Sequence, residues 1–215
     1  ISANPRSVTS ILIAINAVAF VARVATGGFG GPVNQAGSMW AGSVMQGEYW
    51  RMLTSSFLHS GLMHIAFNMF ALYFLGPVIE AALGRAKYLI TYITLAVSSS
   101  VWVYWLSPVN TSSVGASGVV FGLLGMVLVF MLRSKQDVTG LLILLAINAV
   151  LSLRENISWQ AHLGGFVMGL ILAAVFVWAP REHRQRVHVL AFSAVWLFIV
   201  VATAARTAHL WNLYG

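Results

Sequence analysis

The sequence predicts an all-α fold, a polytopic bundle of membrane-spanning helices, on three observations. Of its 215 residues 59% are hydrophobic and only 8% are charged, a balance that a water-soluble domain of this size does not keep in solution. The apolar residues gather into seven stretches, 8–24, 61–79, 86–106, 115–132, 139–153, 160–179 and 188–205, each close to the ~20 residues a helix needs to cross the hydrocarbon core. The Lys and Arg residues fall between these stretches or at their ends and are shared unequally by the two sides.

Taken in order, span one leads into a segment, 25–60, that is too long for a simple connection. It is rich in Gly and carries Met39, Trp40, Tyr49 and Trp50, and the rings of Trp40, Tyr49 and Trp50 suit the membrane interface. Span five is short, as for a helix in a thinned or protein-surrounded part of a bundle. With the N-terminus inside, Arg6, Arg85, Lys87, Arg133, Lys135, Arg181, Arg184 and Arg186 are cytoplasmic, against Arg23, Arg51, Arg154 and Arg206 outside. Eight against four is the positive-inside pattern. The net charge of +7 therefore reports topology; the basic residues form no stripe with interleaved aromatics, and no nucleic-acid partner is expected. There is no Cys, hence no disulfide framework and no thiolate metal site. The first residue is Ile, as in a portion excised from a longer protein.

In this orientation spans two, four and six run from outside to inside, so their first turns share one depth. Polar groups within spans are costly and mark function or buried pairing. Here they converge on that depth. His59, His64 and Asn68 lie at or inside the start of span two, Ser117 opens span four within Gly115-Ala116-Ser117-Gly118, and His162 opens span six within Ala161-His162-Leu163-Gly164-Gly165. His64 and Asn68, four residues apart, share a helix face. Gly118 and Gly122 on span four, and Gly165 and Gly169 on span six, are also four apart, the spacing that lets helix backbones approach closely in lipid. Close approach is what a Ser/His pair on two helices needs, since the reactive atoms must meet within about 3 Å. At a helix N-terminus the backbone N–H of Ser117 lacks an intrahelical partner and points where negative charge would develop. Asn68 and His64 could add side-chain donors.

These blocks resemble the rhomboid family over nearly all of the chain: Trp50-Arg51 after span one, His59 with His64 and Asn68, Gly115-Ala116-Ser117-Gly118, and Ala161-His162 with Gly165 and Gly169. The resemblance implies a six-helix catalytic core over residues 1–180, with 181–215 adding a basic cytoplasmic loop and a seventh C-terminal transmembrane helix. It implies an intramembrane serine endopeptidase with Ser117 as nucleophile, His162 as general base, and His64, Asn68 and the backbone N–H groups of Ser117 and Gly118 at the oxyanion hole. The implied partners are transmembrane protein substrates, cut in or beside the membrane helix after a small residue, and the lipid bilayer; no oligomeric state is implied. Span five and the loop 154–160 are implied as the movable entrance. One departure stands out. Many rhomboids carry a tyrosine one turn after the serine, stacked on the catalytic histidine, where this chain has Phe121; the ring can still pack on the imidazole.

Other readings are weaker. Ser117 alone would be a helix-packing residue, as Ser98, Ser99 and Ser100 are expected to be, and Val119 stands where a G-x-S-x-G elbow needs Gly. His59 is expected to fix a loop from the rim of the cavity, Trp50 and Arg51 to be structural near the site or, equally, an interfacial anchor with a snorkelling cation, Asn148 to pack, and Glu80 to satisfy loop backbone or pair with Arg85 or Lys87. A zinc site built from His59, His64 and His162 lacks H-E-x-x-H and any carboxylate at that depth, since Asp137 and Glu182 read as cytoplasmic, Glu80 as at the inner end of span two, and Glu48 and Glu155 as loop residues. Neither metal nor cofactor is expected, and a Ser/His dyad replaces the triad. A catalytically silent relative that binds membrane helices, or a transporter, are the alternatives; below Asn68, Phe121 and Gly165 the spans turn apolar, which suits a blind pocket better than a pathway. The compact loops suggest a bacterial plasma membrane, with the site facing the outer side.

Overall fold

The computed structural model describes residues 7–152 and 157–214. Arg6, Arg154, Glu155 and the end of predicted span five therefore lie outside the described residues. The long helices are α1 (Ser7–Ala25), α5 (Leu62–Leu83), α6 (Arg85–Leu106), α7 (Ser117–Arg133), α8 (Thr139–Leu151), α9 (Trp159–Trp178) and α10 (Arg184–Tyr214). Among the described residues five helical stretches are long and apolar enough to cross a membrane, α1, α5, α6, α9 and Arg181–Tyr214. The chain is an integral multi-pass membrane protein. With 17 and 13 residues, α7 and α8 are shorter; at about 1.5 Å per residue α8 reaches only about 20 Å.

The central helix is α7, whose residues Gly118 through Met126 are all buried. On it lies a stripe of α9 at helical spacing, Gly165, Met168, Gly169, Leu172 and Phe176. Leu72 and Ile79 of α5 and Tyr88, Tyr92 and Leu95 of α6 complete the core. By contrast Phe67, Phe70 and Phe74 of α5 are exposed, a contiguous apolar face that only lipid would cover at low cost. Helix α10 is longer than the predicted span 188–205. Its outer part is held by contacts that composition does not reveal: Arg206 Nε donates to the Tyr104 carbonyl and Trp211 Nε1 to that of Met45.

The segment between α1 and α5 folds into three short helices, α2 (Pro32–Gly37), α3 (Ala41–Met45) and α4 (Arg51–Thr54). It also supplies β1 (Met39–Trp40), which pairs antiparallel with β2 (Ser112–Ser113), Met39 facing Ser113. This small ladder ties the segment to the chain just ahead of α7. Arg51 corrects the sequence reading. It does not snorkel: it is buried, with Nη1 donating to the carbonyls of Gln35 and Ser38 and Nε paired with Glu48. Buried loop carbonyls must be satisfied, and a guanidinium supplies several donors at once. Trp50 keeps its ring exposed, as an anchor would, and donates Nε1–H to the Ala36 carbonyl. Arg23 is buried in the same way, donating to Asn34 Oδ1 at 2.8 Å and to the Ser60 carbonyl at 3.4 Å.

Glu80 gives a second correction. Its carboxylate, 2% exposed, accepts from the backbone N–H groups of Val8 and Thr9 at 2.9 Å and from the hydroxyls of Thr9 and Ser7. It thus caps the first turn of α1, where N–H groups lack helical partners and the helix dipole favours an anion, in place of a loop or a basic side chain. Replacing it by Ala leaves those donors buried and unmet. Glu80→Ala should destabilise the protein by about 1–3 kcal/mol, read as a lower Tm by circular dichroism in detergent; an unchanged Tm would remove Glu80 from the supports of α1.

Candidate active site

Helices α5, α7 and α9 begin at one end of the bundle, and their first turns carry the polar cluster. Ser117 is the first residue of α7, two residues later than the predicted start of that span. The two residues before it form its mount. Gly115 has φ of +135°, a conformation that L side chains rarely adopt, and a Cβ there would lie 2.7 Å from the His64 ring. Its N–H donates to the Ser55 carbonyl at 2.9 Å, while the N–H of Ala116 donates to His59 Nε2 at 3.4 Å. His59 is fully buried, away from a wet rim. Burial, and secondarily His64, lower its pKa to about 4, which keeps the imidazole neutral at pH 7 and its Nε2 free to accept.

His162, in the first turn of α9, sits with Nε2 2.8 Å from Ser117 Oγ. Two neighbours hold its ring. Phe121, one turn along α7 from the serine, stacks on it with centroids 4.2 Å apart and planes 9° from parallel. Ser152, just past the end of α8, places Oγ 2.6 Å from Nδ1. That hydroxyl donates to the Asn148 carbonyl at 2.6 Å, and a hydroxyl has one hydrogen to give. Nδ1 of His162 must then carry the proton donated to Ser152, leaving Nε2 as an acceptor for the Ser117 hydroxyl. A general base needs this tautomer.

His64 has a partner on its far side: Nδ1 lies 2.9 Å from Ser60 Oγ and accepts from the Ser60 N–H at 3.4 Å. Its Nε2 therefore bears the hydrogen, on the edge that faces Gly115. A Cβ on Gly115 would be 2.7 Å from that nitrogen and 3.6 Å from Ser117 Oγ, so the donor and the hydroxyl flank one point. Asn68 is buried and uses one amide hydrogen on the His64 carbonyl at 2.9 Å. The other is available.

Backbone contact between α7 and α9 sets the Ser–His distance. A Cβ on Gly165 would be 1.8 Å from the Gly118 carbonyl oxygen, and one on Gly169 would be 2.0 Å from that of Gly122. Beside Gly118 a cavity of about 20 Å³ lies among Ser55, Ser99, Ser100 and Ala161, enough for about one water in a polar setting. Of the residues singled out from sequence, Ser117, His162, Phe121, His64, Asn68, His59 and the four glycines come together. The contacts of Trp50 and Arg51 stay within the loop. Asn148 bonds its own helix at Leu144. Ser152 was missed, because a serine at the end of an apolar stretch ten residues before a histidine carries no periodic signal. No group of three or more His, Cys, Asp or Glu side chains suited to a metal occurs among the described residues.

Comparison with known proteins gives the class. A model of the rhomboid domain matches residues 46–179, more than half of the chain. The chain belongs to the rhomboid family. It is 33% identical over 149 residues to "Putative rhomboid protease YdcA" of Bacillus subtilis, spanning 73% of that protein and 66% of this chain. It is 34% identical over 137 residues to rhomboid protease GluP of the same organism, spanning 27% of that longer protein and 61% of this chain. With rhomboid protease AarA of Providencia stuartii it shares 26% identity over 198 residues, spanning 70% of that protein and 77% of this chain.

The helix contact is open to test. Gly165→Ala drives a methyl into the Gly118 backbone oxygen, so α7 and α9 must part and the Ser117–His162 bond must open. A loss of about 1–3 kcal/mol in stability is expected, together with loss of Ser117 reactivity toward a fluorophosphonate. Gly140→Ala, with nothing within 4 Å of the added carbon, should leave both unaltered. Retention of full reactivity in Gly165→Ala would mean that the glycine contact does not set the pair.

Proposed function

We propose that the chain is an intramembrane serine endopeptidase that cuts transmembrane proteins in or near their membrane-spanning helix through a Ser117/His162 dyad. The observation that carries this reading is the 2.8 Å contact between Ser117 Oγ and an imidazole Nε2 held as an acceptor. In this reading His162 takes the Ser117 proton as Oγ attacks the scissile carbonyl. The oxyanion that forms lies against the N–H groups of Ser117 and Gly118, His64 Nε2–H and the spare Asn68 hydrogen; each such donor is worth about 2.7–4 kcal/mol in the transition state. His162 then protonates the leaving amine, and a water activated by the same nitrogen hydrolyses the acyl-enzyme.

Phe121 supports the imidazole by stacking, and Ser152 acts on it as a positioning residue. The catalytic core is residues 1–180, six helices, and the segment 181–215 with its seventh helix is an addition to it. The close quarters around Gly115 and Gly118 favour a small residue before the cut. Entry past α8 suits a helical substrate, because none of its residues Thr139–Leu151 is buried. The charge distribution supports an N-terminus in the cytoplasm and a dyad toward the outer side of a bacterial plasma membrane.

Fluorophosphonate labelling of the purified protein separates this reading from a silent helix-binding relative or a transporter. Labelling and cleavage of a reconstituted transmembrane substrate should both vanish in Ser117→Ala, and cleavage should vanish in His162→Ala with unchanged circular dichroism; proteolysis that survives Ser117→Ala sinks the assignment. The tautomer argument makes a finer demand. Ser152→Ala should lower kcat about tenfold, the worth of roughly one hydrogen bond, with KM unaltered and a change in the His162 15N tautomer signature, whereas Ser152→Thr should keep activity. An unchanged kcat in Ser152→Ala would deny the serine any part in holding the base.

A further inference from the structure

At the end of the bundle opposite the dyad lies a cavity of about 360 Å³, entered between the end of α5, the start of α6, the ends of α7 and α9 and the start of α10. Its apolar wall includes Phe130 and Phe176, and its polar lining is Lys87, Arg184, His188 and Ser134. Lys87 and Arg184 stand exposed at the surface, and His188 is buried at 6% exposure. No carboxylate is paired with either cation among the described residues.

The state of His188 decides what this cavity would hold. Lys87 Nζ lies 3.3 Å from His188 Nδ1, and an ammonium can only donate. Nδ1 is therefore the acceptor and Nε2 carries the hydrogen. That Nε2 is buried and has no hydrogen-bond partner among the described residues, although Phe176 packs edge-on to the ring at 4.8 Å. A buried unmet donor costs about 1–3 kcal/mol. Two cations, an unmet N–H and a hydroxyl thus border one cavity, and among the described residues no carboxylate lines it. The N-termini of α6 and α10, at Arg85 and Arg184, add favourable dipoles for negative charge, partly offset by the C-termini of α5, α7 and α9.

We propose that this cavity is a phosphate-binding site, in which a phosphate group accepts from Lys87, Arg184 and His188 Nε2–H, as charge-assisted donors bind phosphate elsewhere. The same chemistry is offered by an anionic lipid headgroup, whose chains would lie along the apolar wall, and by free phosphate. The full chain in neutral-detergent micelles distinguishes them. Its Tm is titrated with inorganic phosphate at constant ionic strength, with phosphatidylglycerol and with phosphatidylcholine.

Saturable stabilisation is expected from phosphatidylglycerol, and its binding should weaken by about tenfold or more in Lys87→Gln/Arg184→Gln, the loss of at least one charged hydrogen bond. His188→Phe should weaken it too while keeping a ring against Phe176. Arg181→Gln/Arg186→Gln, which removes the same charge from the same end without lining the cavity, should bind as the wild type does. The Tm of the double variant without ligand reports whether it folds; should it fail to fold, the single variants Lys87→Gln and Arg184→Gln report the same loss. Stabilisation by phosphatidylglycerol alone assigns the site to a lipid headgroup, and stabilisation by inorganic phosphate as well shows that the anion suffices. No saturable effect of either on the wild type, equal binding of phosphatidylcholine, or equal weakening in the Arg181/Arg186 control overturns the proposal.

Discussion

The Ser117–His162 pair depends on two helices touching backbone to backbone. At Gly165 and Gly169 the carbonyl oxygens of Gly118 and Gly122 occupy the space that side chains would take. Lipid tails are as apolar as leucine, so helices in a membrane gain little from hiding hydrophobic surface and much from close packing. The same contact that binds α7 to α9 brings a serine and a histidine, both short side chains, to 2.8 Å. Stability and site geometry therefore rest on one feature.

Around that contact the loop between α1 and α5 works as a mount. Arg23 and Arg51 satisfy its carbonyls from inside, the β1–β2 pairing ties it to the strand before α7, and Ser55 and His59 hold the N–H groups of Gly115 and Ala116. These polar contacts are placed where water is scarce, and there each unmet group is expensive. The ring of His162 is held by a stack on one side and a hydroxyl at its far nitrogen. A neutral serine in that place orients the imidazole without adding the field of a carboxylate.

Much of this was legible in the chain. Helix positions followed from runs of apolar residues because a bilayer imposes a length on them. Ser117, His162, His64 and Asn68 stood out because polar groups are rare inside spans, and the glycine pairs because a spacing of four marks one helix face. Phe121 was readable one turn from Ser117, and the structure puts its ring on the imidazole. The partners of Arg51 and Glu80 were not legible for a common reason. Each bonds groups distant in sequence, Ser38 and Gln35 for the one and Ser7 to Thr9 for the other, and a local pattern does not carry partners.

By itself the sequence carried the all-α membrane bundle and the polar residues that meet in its first turns, since hydrophobicity, spacing and residue type are local properties. Tertiary structure alone decided how the pair is set. It put Ser152 on the imidazole and turned His64 toward Gly115, and it left His188 with an unmet donor in a basic cavity. Those outcomes depend on which atoms of distant segments meet, and hydrogen-bond directions are defined only once they do.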